Sequence, residues 1–351
     1  MNIHGQNQNT LHFCTFNVLS EYYTDQFNEK APPDFKVNTQ FLNITPKAQS
    51  IVNELLKLPK GLPEIMALQE CTSDMATELT STLNNWRDVA NIAAGSRYKC
   101  IHACHKISNQ DNLKNGVAII ALVPEKTQVE IRTQYVDAEV GKRRATLLVQ
   151  LPYNNRTVRI ASFHITGHPN ATIGDTQLLN VLRWIKNPSS KTPLPQADCI
   201  LFGTDLNQTP TEGVRVQMMK GFNIETNGYV TEPSKARRID FIGHKVITTT
   251  TICRKEDANT LDAVLTPMPA SDHLPVVRSL IIGEAAGAAL SSDIKTFASV
   301  QQQWQPPVQP PIQAPAPAAP QPTSSSGCSM LTKTLFVALI AFGLGMRLAS
   351  R

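Results

Sequence analysis

Residues 200–207, Ile-Leu-Phe-Gly-Thr-Asp-Leu-Asn, form an apolar run that ends in Asp205 and Asn207, followed by Gln208, Thr209 and Pro210. Such a run reads as a buried strand that delivers a carboxylate and an amide to one edge of a sheet. Asp and Asn also close ordinary turns, so the pair decides nothing alone. Other apolar runs carry polar residues in the same way. Residues 11–20 deliver Asn17, residues 63–70 deliver Glu70, and residues 158–164 deliver His164. Asp240 lies between Ile239 and Phe241, and Asp272 and His273 open the run that ends in Val276 and Val277. A charge flanked by Ile239 and Phe241 either faces away from them or is buried beside a partner. The partner expected is the Asp272–His273 segment.

These residues suit metal-assisted attack of water on a phosphate ester. A hard cation such as Mg²⁺, with Mn²⁺ as a substitute, prefers oxygen ligands and retains several waters, so one or two carboxylates hold it. Glu70 and Asp272 are the expected metal ligands. Asp205 would orient and deprotonate the attacking water, with Asn17 and Asn207 donating hydrogen bonds to it and to the phosphate. His273, backed by Asp240, would neutralise charge that develops on the phosphate, and His164 would serve the phosphate or the leaving group. Glu70 could instead open the next helix, where an anion suits the N-terminal dipole. Residues 141–144, Gly-Lys-Arg-Arg, read as a basic loop whose Arg143 and Arg144 either contact phosphate or are simply solvated.

Positioning these groups requires a sizeable core, and 351 residues with 41% hydrophobic composition can supply one. Strands are expected at residues 115–122 and 145–151. Helices are expected at 47–58, from the spacing of Ile51, Leu55 and Leu58 after Pro46, and at 172–186. Residues 31–45, with Pro32 and Pro33, read as an irregular loop. Cys100, His102 and Cys104 could suggest zinc, yet with Tyr98 they alternate as on a strand and no second ligand pair follows. The net charge of +5 is compatible with an anionic substrate. Seven cysteines without a framework, and no apolar leader after Met1, favour a reducing compartment and a cytosolic catalytic domain.

In order along the chain, Phe16-Asn17-Val18-Leu19, Leu68-Gln69-Glu70, Phe163-His164, Thr204-Asp205-Leu206-Asn207-Gln208-Thr209-Pro210, Arg238-Ile239-Asp240-Phe241 and Ser271-Asp272-His273-Leu274-Pro275 resemble the motifs of the endonuclease/exonuclease/phosphatase superfamily. The resemblance covers roughly residues 10–282. It implies an α/β fold, a four-layered α-β-β-α sandwich of two mixed β-sheets packed face to face, with a Mg²⁺-dependent phosphoesterase site at one end. Thr204 stands where the family has Gly before the Asp, which removes a flexible position while leaving carboxylate and amide in place. The wording around Asn17, Tyr22-Tyr23, Glu70 and His273 resembles the deadenylase and nocturnin branch most, implying an exonuclease on RNA 3′ ends. The Trp-Cys-Asp-Arg element of the inositol 5-phosphatases is absent from the sequence. A DNA endonuclease and a sphingomyelinase-like enzyme acting on phospholipid remain open.

The domain organisation expected is a catalytic domain over residues 1–283, a disordered Gln/Pro/Ala/Ser linker over 284–327, and a C-terminal membrane-anchor helix over 328–351. Residues 334–346 are uncharged and apolar, short of the roughly 20 residues a bilayer core asks for. Counting back past a snorkelling Lys333 completes a span, although an interfacial helix or one packed on the protein stays open. With basic flanks at Lys333, Arg347 and Arg351, the run resembles anchors of the mitochondrial outer membrane, with the endoplasmic reticulum second, in a eukaryotic cell, and a bacterial inner membrane stays open.

Overall fold

The apolar runs that deliver the polar residues become strands in a computed structural model that describes residues 10–90, 95–107, 110–137, 142–167, 171–188, 193–207, 221–225, 230–257, 262–265 and 268–285. The chain divides into two units, 1–295 and 296–351, and all of these residues belong to the first. The first half supplies β1 (Thr10–Asn17), α1 (Glu21–Lys30), α2 (Ile44–Leu55), β2 (Ile65–Thr72), α3 (Ser73–Val89), β3 (Ser96–Ile107) and β4 (Gln110–Pro124). The second supplies β5 (Glu130–Asp137), β6 (Lys142–Tyr153), β7 (Arg156–His164), α4 (Ala171–Lys186), β8 (Cys199–Asp205), β9 (Asn223–Ile224), β10 (Asp240–Val246), β11 (Thr251–Lys255), β12 (Ala263–Val264) and β13 (Val276–Glu284).

One leaf of strands runs β11-β13-β1-β2-β4-β3, and the other runs β6-β7-β8-β10-β9. Phe13, Ala67 and Ile119 of the first leaf share a buried core with Leu147, Ile160 and Leu201 of the second. Outside the first leaf, Ile51, Leu55, Met75 and Leu79 from α2 and α3 cover Phe16, Met66 and Leu68. Outside the second, Leu178, Val181 and Ile185 of α4 cover Leu148, Phe163 and Phe202. Covering both faces explains why β2 and β8 read as continuous apolar runs rather than alternating ones. The four layers are those expected. The two leaves are nevertheless one hydrogen-bonded sheet of 13 strands, because β3 and β6 pair at a corner through Lys106 with Arg143 and Ile107 with Lys142.

Several boundaries differ from the sequence reading. α2 starts at Ile44 rather than after Pro46, since proline is tolerated in a first turn whose N–H groups lack helical partners. Residues 31–45 contain two 3₁₀ turns, Pro33–Phe35 and Thr39–Leu42. Lys142, Arg143 and Arg144 are not a loop but the first residues of β6. Asp272 and His273 precede β13 in a turn. At Gly203, a Cβ would come within 2.6 Å of Thr15 Oγ1 and 2.7 Å of Ala67 Cβ in the opposite leaf, so glycine there sets how closely the leaves approach.

Candidate active site

β1 and β8 belong to opposite leaves, and their ends meet. Asn17, the last residue of β1, donates from Nδ2 to Asp205 Oδ2 over 3.0 Å. Asp205 closes β8, and its Oδ1 accepts the backbone N–H of Asn207 at 2.7 Å. Antiparallel pairing of β8 with β10 sets Asp240 opposite Asp205. The partner that Asp240 needs is His273, whose Nδ1 lies 2.8 Å from Asp240 Oδ2 while its Nε2 lies 3.9 Å from Asp205 Oδ2. His164, at the end of β7, brings Nε2 to 3.5 Å from Asp205 and 3.9 Å from Glu70. Arg144 donates to His164 Nδ1 over 2.9 Å, and the Asn207 amide lies 2.6 Å from His164 Nε2. Asn17, Glu70, His164, Asp205, Asn207, Asp240, Asp272, His273 and Arg144 are thus brought to one rim of the sandwich. Arg143 is not. It is exposed, pairs with Asp137 at 3.2 Å, and points away because neighbouring residues of a strand face opposite sides.

The backbone at this rim is strained. Leu19 (φ 44°), Glu70 (φ 48°) and Asn207 (φ 55°) all occupy the left-handed region. Such residues cost on the order of 1–3 kcal/mol each, and persist where the surroundings over-determine them. Glu70 does not end its strand, as its sequence suggested. It sits on a bulge between Gln69 and Cys71, and β2 continues to Thr72. A bulge re-aims one side chain without ending the ladder, and here it turns the carboxylate towards His164. Thr204, by contrast, is regular strand without positive φ, so the position does not require glycine.

Electrostatics divide the two histidines. Burial lowers His164 well below the usual imidazole range, and Arg144, His105 and His273 push it the same way, so the ring is neutral. Burial works against the charge on His273 too, but Asp240, Asp272 and Asp205 outweigh it and raise His273 well above that range. The carboxylates crowd one another. Burial, with Asp272 and Asp205 beside it, raises Glu70 to about 7. Burial also raises Asp240 to about 6 against the pull of His273, and it raises Asp272. Asp272 Oδ1 is buried without a hydrogen-bond partner among the described residues. A carboxylate oxygen left bare, beside a second carboxylate that ionises reluctantly, is the donor set a hard divalent cation relieves. Glu70 and Asp272 therefore fit a Mg²⁺ or Mn²⁺ ion.

Two residues at this rim were missed in the sequence. Glu232, buried, groups with Asp272 and His273 closely enough to join a metal's surroundings, and is held by Arg237 at 2.5 Å. It follows no apolar run, and nothing in the sequence marks it. Lys47 is fully buried, and its Nζ donates to the Leu19 carbonyl. Burial lowers it to about 8 against Glu21, Asp272, Cys71 and Glu70. Its signal was present: Lys47, Ile51 and Leu55 recur every four residues, which places the lysine on the buried stripe of α2. Cys100, His102 and Cys104 lie along β3, where His102 Nε2 is 2.8 Å from the Cys71 carbonyl.

No protein-family model and no curated protein sequence matches the chain. Solved structures do. The endonuclease/exonuclease/phosphatase from Bacteroides vulgatus is 16% identical, with 77% of this chain covering 98% of that one at a TM-score of 0.50. The chain has the endonuclease/exonuclease/phosphatase fold. ANGEL2, a 2′,3′-cyclic phosphatase crystallised with adenosine-2′,3′-vanadate, is 12% identical, with coverage of 77% and 95% and a TM-score of 0.54. D. rerio TDP2, complexed with a single-strand DNA product, is 15% identical, with coverage of 77% and 98% and a TM-score of 0.50. Within this endonuclease/exonuclease/phosphatase fold, the polar rim described above lies where the two leaves meet at the ends of β1 and β8.

Proposed function

We propose that this protein is a Mg²⁺-dependent phosphoric ester hydrolase, with Mn²⁺ able to substitute, that cleaves phosphodiesters by attack of water. The observation that carries this reading is Asp205, fixed by donors from Asn17 and Asn207, within 3.9 Å of a charged His273 that Asp240 holds. Asp205 accepts the proton of the attacking water as its oxygen bonds to phosphorus. Charge growing on the non-bridging oxygens meets the His273 imidazolium, whose other nitrogen is committed to Asp240. Asn17 and Asn207 fix the water and the phosphate against Asp205. His164, neutral, faces the phosphate or the leaving oxygen. Glu70 and Asp272 would hold the cation, which would supply polarisation of the phosphoryl group and stabilisation of the leaving oxygen.

The substrate class proposed is nucleic acid, with RNA 3′ ends first. Arg144 reaches His164, while Lys106 and Arg143, on the other side of β6, lie 4.2 and 5.9 Å from the centre of the Tyr135 ring where β3 meets β6. A basic corner with an aromatic ring suits a phosphate-linked chain. The test is the full chain with 5′-labelled RNA bearing a 3′ adenosine tail and Mg²⁺, beside lanes with EDTA and with Asp205→Asn. A metal-dependent ladder shortening from the 3′ end supports the reading. Intact RNA alongside cut single-stranded DNA, or hydrolysed sphingomyelin vesicles, would move the substrate to DNA or to phospholipid. Failure on all of these overturns the hydrolase reading.

Among the described residues no helix is long and apolar enough to cross a membrane, and residues 328–351 lie outside them. We propose those residues as a membrane anchor, with residues 1–283 catalytic in the cytosol and 284–327 a linker, on the strength of the uncharged run 334–346. A fluorescent reporter fused to residues 322–351 should be found in the mitochondrial outer membrane or endoplasmic reticulum fraction. A wholly soluble reporter would sink the anchor.

A further inference from the structure

The mechanism above gives Lys47 no task, yet a fully buried ammonium is costly, and a methionine would fill the same space on α2 without that cost. What the ammonium touches is informative. It donates to the carbonyl of Leu19, a residue held at φ 44°. A leucine pays about 1–2 kcal/mol for that conformation, which a β-strand continuation would avoid. The strained residue is committed at both ends, because its own N–H donates to Asn17 Oδ1 over 3.0 Å.

Asn17 then has only one satisfied orientation. With Oδ1 taken by Leu19, Nδ2 must face Asp205 Oδ2 at 3.0 Å and His273 Nε2 at 3.5 Å. A flipped amide would set an oxygen against the Asp205 carboxylate and a second N–H against the Leu19 N–H. The Asn17 backbone is fixed as well, since Ser271 Oγ donates to its carbonyl at 2.8 Å and accepts from the His273 N–H at 3.2 Å. A charged donor is the strong partner for a strained carbonyl. Nearby Glu21, Glu70 and Asp272 offset its desolvation.

We propose that Lys47 is a positioning residue: acting from α2 through Leu19, it fixes the orientation of the Asn17 amide and so holds Asp205 where it meets water. In its catalytic readout the inference rests on the hydrolase reading.

The test is a double-mutant cycle in the full chain with Lys47→Met, Asn17→Ala and both, with Lys47→Arg as rescue and circular dichroism confirming folding. Lys47→Met should lower kcat by up to about 100-fold, the scale of a misplaced reacting group, with KM within about two-fold. Lys47→Arg should recover most of it, and in the Asn17→Ala background Lys47→Met should change kcat by less than about two-fold. A second readout needs no turnover: Lys47→Met should shift the side-chain amide ¹⁵N–¹H pair of Asn17, identified by its loss in Asn17→Ala. Equal loss of kcat in both backgrounds, or an unmoved Asn17 amide, overturns the proposal. If Lys47→Met does not fold, Lys47→Gln, which keeps a neutral donor, enters the same cycle with the same non-additivity expected. A wild-type chain that hydrolyses nothing would fail the functional reading, while the amide signal would still decide this one.

Discussion

Replacing Asp240 by Asn removes a charge while keeping an acceptor, so Nδ1 of His273 keeps a partner and the ring keeps its orientation. What is lost is the largest force holding His273 charged. Asp240 Oδ2 and His273 Nδ1 are 2.8 Å apart and both side chains are buried. Two unit charges about 4 Å apart interact by about 4 kcal/mol at an effective dielectric constant near 20. At 1.36 kcal/mol per pH unit that moves the His273 midpoint down by about three pH units at most. Asp205 and Asp272, each 3.9 Å from His273 Nε2, remain and reduce the fall. A smaller fraction of the ring would then be charged at neutral pH, and kcat should drop by up to about 100-fold, as when one preorganised stabilising group is weakened. The wild-type folded midpoint is raised, so its stabilising effect is complete below pH 6.5 and is lost as the pH climbs through the folded value. The stability deficit of Asp240→Asn should therefore be present at neutral pH and vanish at alkaline pH. Histidine ¹³C–¹H titration follows the ring, and a pH profile of kcat/KM on a chromogenic phosphodiester follows the chemistry. An unmoved His273 midpoint, with an unmoved alkaline limb of activity, would refute the assignment.

Away from the site, burial raises Glu64 from 4.5 to about 7, against the hydrogen bond it accepts from the His12 N–H. Its folded value is above the unfolded one, so stability falls as pH rises from 4.5 to 7. Glu64→Gln should thus stabilise the chain by up to about 3 kcal/mol at pH 8 and change little at pH 4, measured by urea melts at both. Arg144→Gln should raise KM for a nucleic acid several-fold, and lower the slope of log KM against log salt by about one, with a smaller change in kcat. A slope that stays put would remove Arg144 from substrate contact. Mg²⁺ should raise the Tm of the full chain, by the equivalent of about 2.7 kcal/mol at a hundred times its Kd. The rise should shrink from pH 8 to pH 6, because protons compete for Glu70 near 7, and Asp272→Asn should abolish it. A pH-independent rise would place the ion elsewhere.

The polar rim was legible because Asn17, His164, Asp205 and Asp240 each stand on an apolar strand that both leaves bury, and such strands advertise their ends. The pairing of Asp240 with His273 followed from the cost of burying a charge between Ile239 and Phe241. Glu70 was found, but not its bulge, because no glycine or proline marks the left-handed turn at φ 48°. Arg143 and Arg144 could not be separated until a strand replaced the expected loop and sent alternate residues to opposite sides. Glu232 comes from an irregular segment where Arg237 and Lys235 hold its carboxylate. Lys47 was hidden by habit, since a lysine on a helix is read as solvated even when its spacing places it on the buried stripe.

These residues share a physical predicament. Acidic groups at Glu70, Asp205, Asp240, Asp272 and Glu232 crowd one rim, and Leu19, Glu70 and Asn207 hold conformations that their side chains disfavour. Neither condition would survive on a solvent-exposed segment without a core beneath it, where the backbone would relax and water would separate the charges. It survives because Phe13, Ala67, Leu147 and Leu201 lock the leaves together beneath it, with Gly203 allowing their close approach. The leaves therefore do more than display the site. They keep five carboxylates closer than those groups would stand in water, which is why the arrangement calls for cations: His273 and Lys47 from the chain itself, and a divalent ion at Glu70 and Asp272.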